Sequence, residues 1–175
     1  MLQASLILQA FHQIGVTDVV GLPDNCSAAL IRSLGEDSEI PFHAVTREGE
    51  AFALAAGLWI GNRNPLVLIQ NTGLLESGDS LRGTLQRMRI PVVCLITYRG
   101  FARSRQSLAE TLDVERLSRP ELDSVALLTE PTLKAWSLSF DFLNSDQDIG
   151  KLATAYAKAQ EVSGPVALLL TQDTE

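Results

Sequence analysis

The chain is 175 residues long, the size of one domain, and its 46% hydrophobic and 20% charged residues give the balance of a folded protein rather than a disordered one. A net charge of −7 disfavours non-specific nucleic-acid binding, and no apolar run approaches the roughly 20 residues of a membrane span. The opening MLQASLILQAFHQIG has neither a basic n-region nor a small-residue cleavage site, so no signal peptide is expected and the chain reads as cytoplasmic.

In chain order, residues 2–14 carry apolar side chains at helical spacing and stop at Gly15, a C-cap candidate. Residues 17–22 form a short strand ending at Pro23. Asn25 and Ser27 offer caps for a helix reaching about Leu34. Residues 42–45 predict a brief strand, and 47–60 an Ala-rich helix stopped by Gly61. The apolar strand 66–70 runs into a polar turn, Asn71-Thr72-Gly73, before a helix over about 78–88. Residues 91–97 (PVVCLIT) are the strongest strand, and 98–119 the least regular segment. A helix begins at Pro131 and runs to Trp136, a weak strand covers 138–142, a helix 146–160, and a last buried strand 165–171.

Wholly apolar strands separated by helices imply a mostly parallel sheet covered on both faces, hence a single three-layer α/β domain over 1–175. In such sheets ligands bind at the carboxyl ends of the strands. That edge comprises residues 23–27, 46–50, 70–73 and 98–105.

Eight of the eleven arginines lie in 82–119, opposed by Glu110, Asp113 and Glu115, so this segment carries +5 and the remainder −12. Such a stretch suits a small anionic ligand or an acidic partner; charge counting fits a solvated helix face equally well. Cys26 and Cys94 match no zinc or redox spacing and read as buried thiols in a reducing compartment. His12 reads as a helix-surface residue and His43 as a packed or edge residue. Neither has the company of a metal ligand, and no GxGxxG or Walker A sequence is present. Gly78-Asp79-Ser80-Leu81 spells an esterase signature, but Ser80 lies within a predicted helix and no histidine follows His43 to serve as its base.

Glu48 stands at the start of the 47–60 helix. A first-turn carboxylate can simply complement the helix dipole, but the small apolar residues that follow permit close approach of a flat ligand or another backbone. EGEAFALAAGLWIG, PLVLIQNTGLLESGDSL, PVVCLITYRG and the loop in GVTDVVGLPDN together resemble the pyrimidine-binding domain of thiamine-diphosphate enzymes. The similarity is to the sulfopyruvate and phosphonopyruvate decarboxylases, and to the short alpha subunit of their two-chain forms.

The resemblance implies a thiamine-diphosphate-binding fold and a decarboxylase of 2-oxo acids, a lyase. It makes Glu48 the catalytic residue, hydrogen-bonded to N1′ of the aminopyrimidine so that the thiazolium C2 proton is lost. It places Gln70, Asn71, Thr72 and Gly73 with Glu48 against the cofactor, and Asp24 and Asn25 near the substrate. Glu50, outside the motif, is expected to be structural. The family's histidine-containing acidic stretch after Tyr98-Arg99-Gly100 is replaced here by FARSRQSLAETLDVERL, in which Arg99, Arg103 and Arg105 could bind a sulfonate, phosphonate or carboxylate.

The family's Mg²⁺-binding Gly-Asp-Gly segment is missing: Ser77-Gly78-Asp79-Ser80 lacks the second glycine, and the next asparagine after Asn71 is Asn144. No metal ligand is therefore expected in this chain. Mg²⁺ and the cofactor's diphosphate would be held by a separate beta subunit, in a hetero-oligomer containing a dimer of this chain. The alternative is a non-catalytic binding or regulatory module with the same fold.

Overall fold

The computed structural model describes residues 1–108 and 111–175. Glu110, counted above among the acidic residues of the arginine-rich stretch, lies outside the described residues. The strands are β1 (Asp18–Gly21), β2 (Phe42–Ala44), β3 (Pro65–Gln70), β4 (Val93–Thr97), β5 (Ser139–Leu143) and β6 (Val166–Leu170). They form one sheet in the order β2-β1-β3-β4-β6-β5, with every pairing parallel.

The helices are α1 (Ala4–Gln13), α2 (Ala28–Glu36), α3 (Glu48–Ile60), α4 (Asn71–Glu76), α5 (Gly78–Leu81), α6 (Phe101–Ser104), α7 (Val114–Leu117), α8 (Ser124–Ala135) and α9 (Lys151–Val162). Alternation along the central strands divides the core in two. Leu66, Leu68, Val93, Leu95, Val166 and Leu168 pack with Phe11, Leu34 and Leu152 of α1, α2 and α9. Val67, Ile69, Cys94, Ile96, Ala167 and Leu169 pack with Phe52, Leu74, Leu81 and Leu133 of α3, α4, α5 and α8. A strand buried on both faces has no polar alternation, which is why β3, β4 and β6 read as continuous apolar runs.

Several sequence boundaries move. Asn71-Thr72-Gly73 is not a turn: α4 starts directly at Asn71, with no side-chain cap. The helix expected over 78–88 is α5 followed by a π-helical turn, Arg82–Gln86. The expected start at Pro131 is wrong, because Asp123 caps α8 seven residues earlier by accepting from the N–H groups of Val125 and Ala126. Pro131 sits inside that helix. The helix expected from 146 is a 3₁₀ turn, Asp146–Asp148, and then α9. Of the two cysteines, Cys94 is buried as expected and Cys26 is partly exposed; both are free thiols.

The order of strands reverses at β1. The chain leaves β1 for β2 on one side, by way of α2, and returns by way of α3 to β3 on the other side. Helices on opposite faces leave a crevice outside the carboxyl ends of β1 and β3, the usual ligand position in an open parallel sheet.

Candidate active site at the carboxyl edge of the sheet

The β1–β3 crevice collects three of the predicted segments: the Pro23–Asp24 loop after β1, the start of α3 at Glu48, and the start of α4 after Gln70. Their side chains differ in what already occupies them.

Asp24 is engaged within its own loop. Oδ1 accepts from the N–H groups of Cys26 (2.7 Å) and Ser27 (3.2 Å), and Oδ2 accepts from the hydroxyls of Ser27 (2.7 Å) and Thr97 (3.3 Å). It thus ties the end of β1 to the end of β4. Asn25 beside it is exposed. Asn71 is fully buried, and its Nδ2 donates to the carbonyl of Arg99 and the hydroxyl of Thr129, while Oδ1 has no partner among the described residues. Its side chain therefore joins α4 to α8. Thr72 is exposed and donates to Gln70 Oε1.

Glu48 is different. It is half-buried at the first turn of α3, and its carboxylate makes no hydrogen bond or ion pair among the described residues. Its side chain lies directly against Cα of Gly73: a Cβ built there would be 2.1 Å from Glu48 Cγ and 2.3 Å from Cδ and Oε1.

The neighbouring carboxylates are both committed. Glu50 accepts from the N–H and hydroxyl of Thr46 in a capping-box-like contact, and those bonds hold its carboxyl below the usual range. Glu76 is paired with Arg47. Ser80, the candidate nucleophile of the esterase signature, donates to the carbonyl of Gly49 at 2.5 Å and pins α5 to α3. No histidine serves it: His12 pairs with Asp37 at the α1–α2 side, and His43 with Asp18 at the opposite edge of the sheet.

The three arginines proposed for an anion diverge. Arg99 pairs with Asp123 at 3.3 Å, and Arg105 lies over the Phe101 ring at 5.9 Å. Arg103 is exposed, makes no hydrogen bond or ion pair among the described residues, and lines an open cleft of about 440 Å³ with Cys26, Tyr98, Phe101 and Asp173. Gly100, at φ +78°, admits Asp123 to this cleft wall, since a Cβ there would be 2.5 Å from Asp123 Cβ. The Cys26 thiol in the cleft is pushed up to about 12 by burial and by the carboxylates of Asp173 and Asp24, so it is no nucleophile at neutral pH. Among the described residues no three His, Cys, Asp or Glu side chains come together as metal ligands.

Sequence reasoning did not find the Asn71–Thr129 contact, which joins residues 58 apart and has no local signature. It also left the roles of Glu48 and Glu50 to the family resemblance. The Thr46–Glu50 contact carried no capping-box signal, because the two residues are four apart rather than three.

A phosphonopyruvate decarboxylase of Streptomyces hygroscopicus is 38% identical to this chain over 100 residues, covering 57% of the chain and 25% of that protein. Sulfopyruvate decarboxylase subunit alpha of Methanocaldococcus jannaschii is 31% identical over 94 residues, covering 54% of the chain and 56% of that subunit. The chain is a relative of the phosphonopyruvate and sulfopyruvate decarboxylases. It spans about a quarter of the length of the phosphonopyruvate decarboxylases and a little over half of the alpha subunits it matches. No family model matches it.

Among solved structures, an enzyme described as thiamin diphosphate-dependent from Mycobacterium smegmatis superposes with TM-score 0.74 at 19% identity, over 99% of this chain and 32% of that one. Benzoylformate decarboxylase from Polynucleobacter necessarius superposes with TM-score 0.67 at 22% identity, over 97% and 30%. The chain thus shares its fold with about a third of each of these two chains. Among the described residues no helix is long and apolar enough to cross a membrane.

Proposed function

We propose that this chain is the pyrimidine-binding subunit of a two-chain, thiamine-diphosphate-dependent decarboxylase of a small anionic 2-oxo acid. The observation that carries the reading is Glu48: a half-buried carboxylate at the sheet's switch point that makes no hydrogen bond or ion pair among the described residues. A carboxylate in the first turn complements the dipole of α3, but the local capping and pairing contacts are made by Glu50 and Glu76 and leave Glu48 open. A free carboxylate in a half-buried crevice fits a ligand that offers a protonated ring nitrogen.

Thiamine diphosphate, when bound, supplies a thiazolium that accepts the electron pair released with CO2. Glu48 would hold N1′ of its aminopyrimidine by sharing a proton with it, the acid–base contact that favours loss of the C2 proton. Gln70, Thr72 and Gly73 would border the ring. Asp24 and Asn71 hold the loops that frame it, and Asn25 stands at the substrate side. Arg103 faces the anionic tail of the substrate, with Arg99 in the cleft wall beside it and Arg105 stacked over Phe101.

The diphosphate and Mg²⁺ belong to a second chain, a reading supported by the missing second glycine after Asp79 and by relatives named as alpha subunits. The two free thiols agree with a cytoplasmic enzyme. Decarboxylation assays with sulfopyruvate, phosphonopyruvate and pyruvate test the reading. We expect no CO2 from this chain with thiamine diphosphate and Mg²⁺ alone, and turnover on adding a diphosphate-binding partner chain. Full Mg²⁺-dependent turnover by this chain alone would refute the shared site.

A further inference from the structure

We infer that Gly73, beside its place at the cofactor ring, positions Glu48 by the absence of a side chain; the inference rests on the catalytic role proposed for Glu48. Gly73 is the third residue of α4, in helical conformation, where nothing in the backbone requires glycine. Its carbonyl accepts from the N–H of Ser77 (3.0 Å) and from the Ser77 hydroxyl (2.5 Å), as any residue's would. By helix propensity alone, alanine would be the better residue here.

The three nearest atoms to a Cβ at this position all belong to the Glu48 side chain, at 2.1 to 2.3 Å. No Cβ tolerates such distances, and the flexible partner is the one that must move. The bare Cα is therefore the seat of the carboxylate. With a methyl group in that seat, Glu48 would swing to another rotamer and away from the crevice. Such a site holds its acid by packing instead of by hydrogen bonds, leaving both carboxylate oxygens available to a ligand. It also explains how a carboxylate with no hydrogen-bond partner among the described residues keeps one orientation.

The test is a double-mutant cycle in thermal unfolding of the full chain, read together with C2 proton exchange of thiamine diphosphate in the complex with the diphosphate-binding chain. We expect Gly73→Ala in a Glu48→Ala background to raise Tm or leave it unchanged, whereas in the wild-type background any such gain is reduced or reversed by the displaced glutamate. In the complex, Gly73→Ala should slow C2 exchange by about a hundredfold, the scale of an ångström's misplacement of a reacting group. Three-bond couplings at Glu48 should report a changed χ1.

If Gly73→Ala lowers Tm equally in both backgrounds, the glycine serves the fold and the inference fails. If exchange survives Gly73→Ala but is lost in Glu48→Gln, the positioning inference fails while the proposed function stands. If Glu48→Gln itself exchanges normally, the catalytic assignment falls, and the inference with it.

Discussion

The two edges of the sheet treat a carboxylate in opposite ways. At the amino edge, Asp18 opens β1 and is 2% exposed, yet both of its carboxylate oxygens are hydrogen-bonded. Oδ1 meets His43 Nε2 at 2.8 Å, and Oδ2 accepts from Arg63 Nε and the Thr17 hydroxyl, each at 2.8 Å. The same cluster continues through Asn64, whose N–H donates to the Thr17 hydroxyl and whose side chain reaches the carbonyls of Ile14 and Gly15. At the carboxyl edge, Glu48 meets none of this and rests on a bare Cα. A buried charge fully satisfied by its own chain stabilises the fold, and one left open invites a ligand from outside.

The contrast can be broken first at Asp18. Burial raises its pKa, but the hydrogen bonds from Arg63, His43 and Thr17 outweigh that and leave it below the ordinary value. A depressed folded pKa gives stability that is complete above the unfolded value, about 3.9, and is lost as pH falls through the folded one. Chemical denaturation should therefore show a loss of about 2 kcal/mol for Asp18→Asn at neutral pH, reduced from a fully buried network because Arg63 and His43 are partly exposed. The difference from wild type should shrink below pH 4. Glu48→Gln should leave the midpoint near the wild-type value.

A smaller effect is expected at the arginine cleft. Arg103→Ala should raise KM for an anionic 2-oxo acid about tenfold more than for pyruvate, the scale of one charge-assisted hydrogen bond. Steady-state kinetics of the assembled enzyme check this, and equal changes for both substrates would assign Arg103 to a partner surface. The smallest change is expected at Glu50, whose capping contact is exposed. Glu50→Ala should lower Tm slightly and leave kcat unaltered once the complex is saturated with cofactor.

The sheet was legible because its central strands are buried on both faces: β3, β4 and β6 are apolar throughout, and the Ala-rich α3 between Glu48 and Gly61 could hardly be anything else. What misled was local punctuation. Asn71-Thr72-Gly73 has turn composition, yet the amide of Asn71 is drawn inward by Thr129 and by the carbonyl of Arg99, so α4 begins without a turn. Pro131 resembles a helix start, but Asp123 caps earlier and the proline ring is exposed on the outer face of α8.

At the site, Glu48 was found through its family motif, whereas its seat on Gly73 joins residues 25 apart through van der Waals exclusion alone. No spacing rule encodes that contact. Arg99, Arg103 and Arg105 were legible as a cluster, but their charges are divided among Asp123, an aromatic ring and the open cleft.

The most direct test compares the two glutamates of the same helix turn. C2 proton exchange of thiamine diphosphate should be measured in the assembled complex for Glu48→Gln and Glu50→Gln. The account predicts a fall of about a hundredfold or more for Glu48→Gln, the scale of a lost general acid–base group, and a rate close to wild type for Glu50→Gln. Normal exchange in Glu48→Gln, or equal losses in both variants, would contradict it.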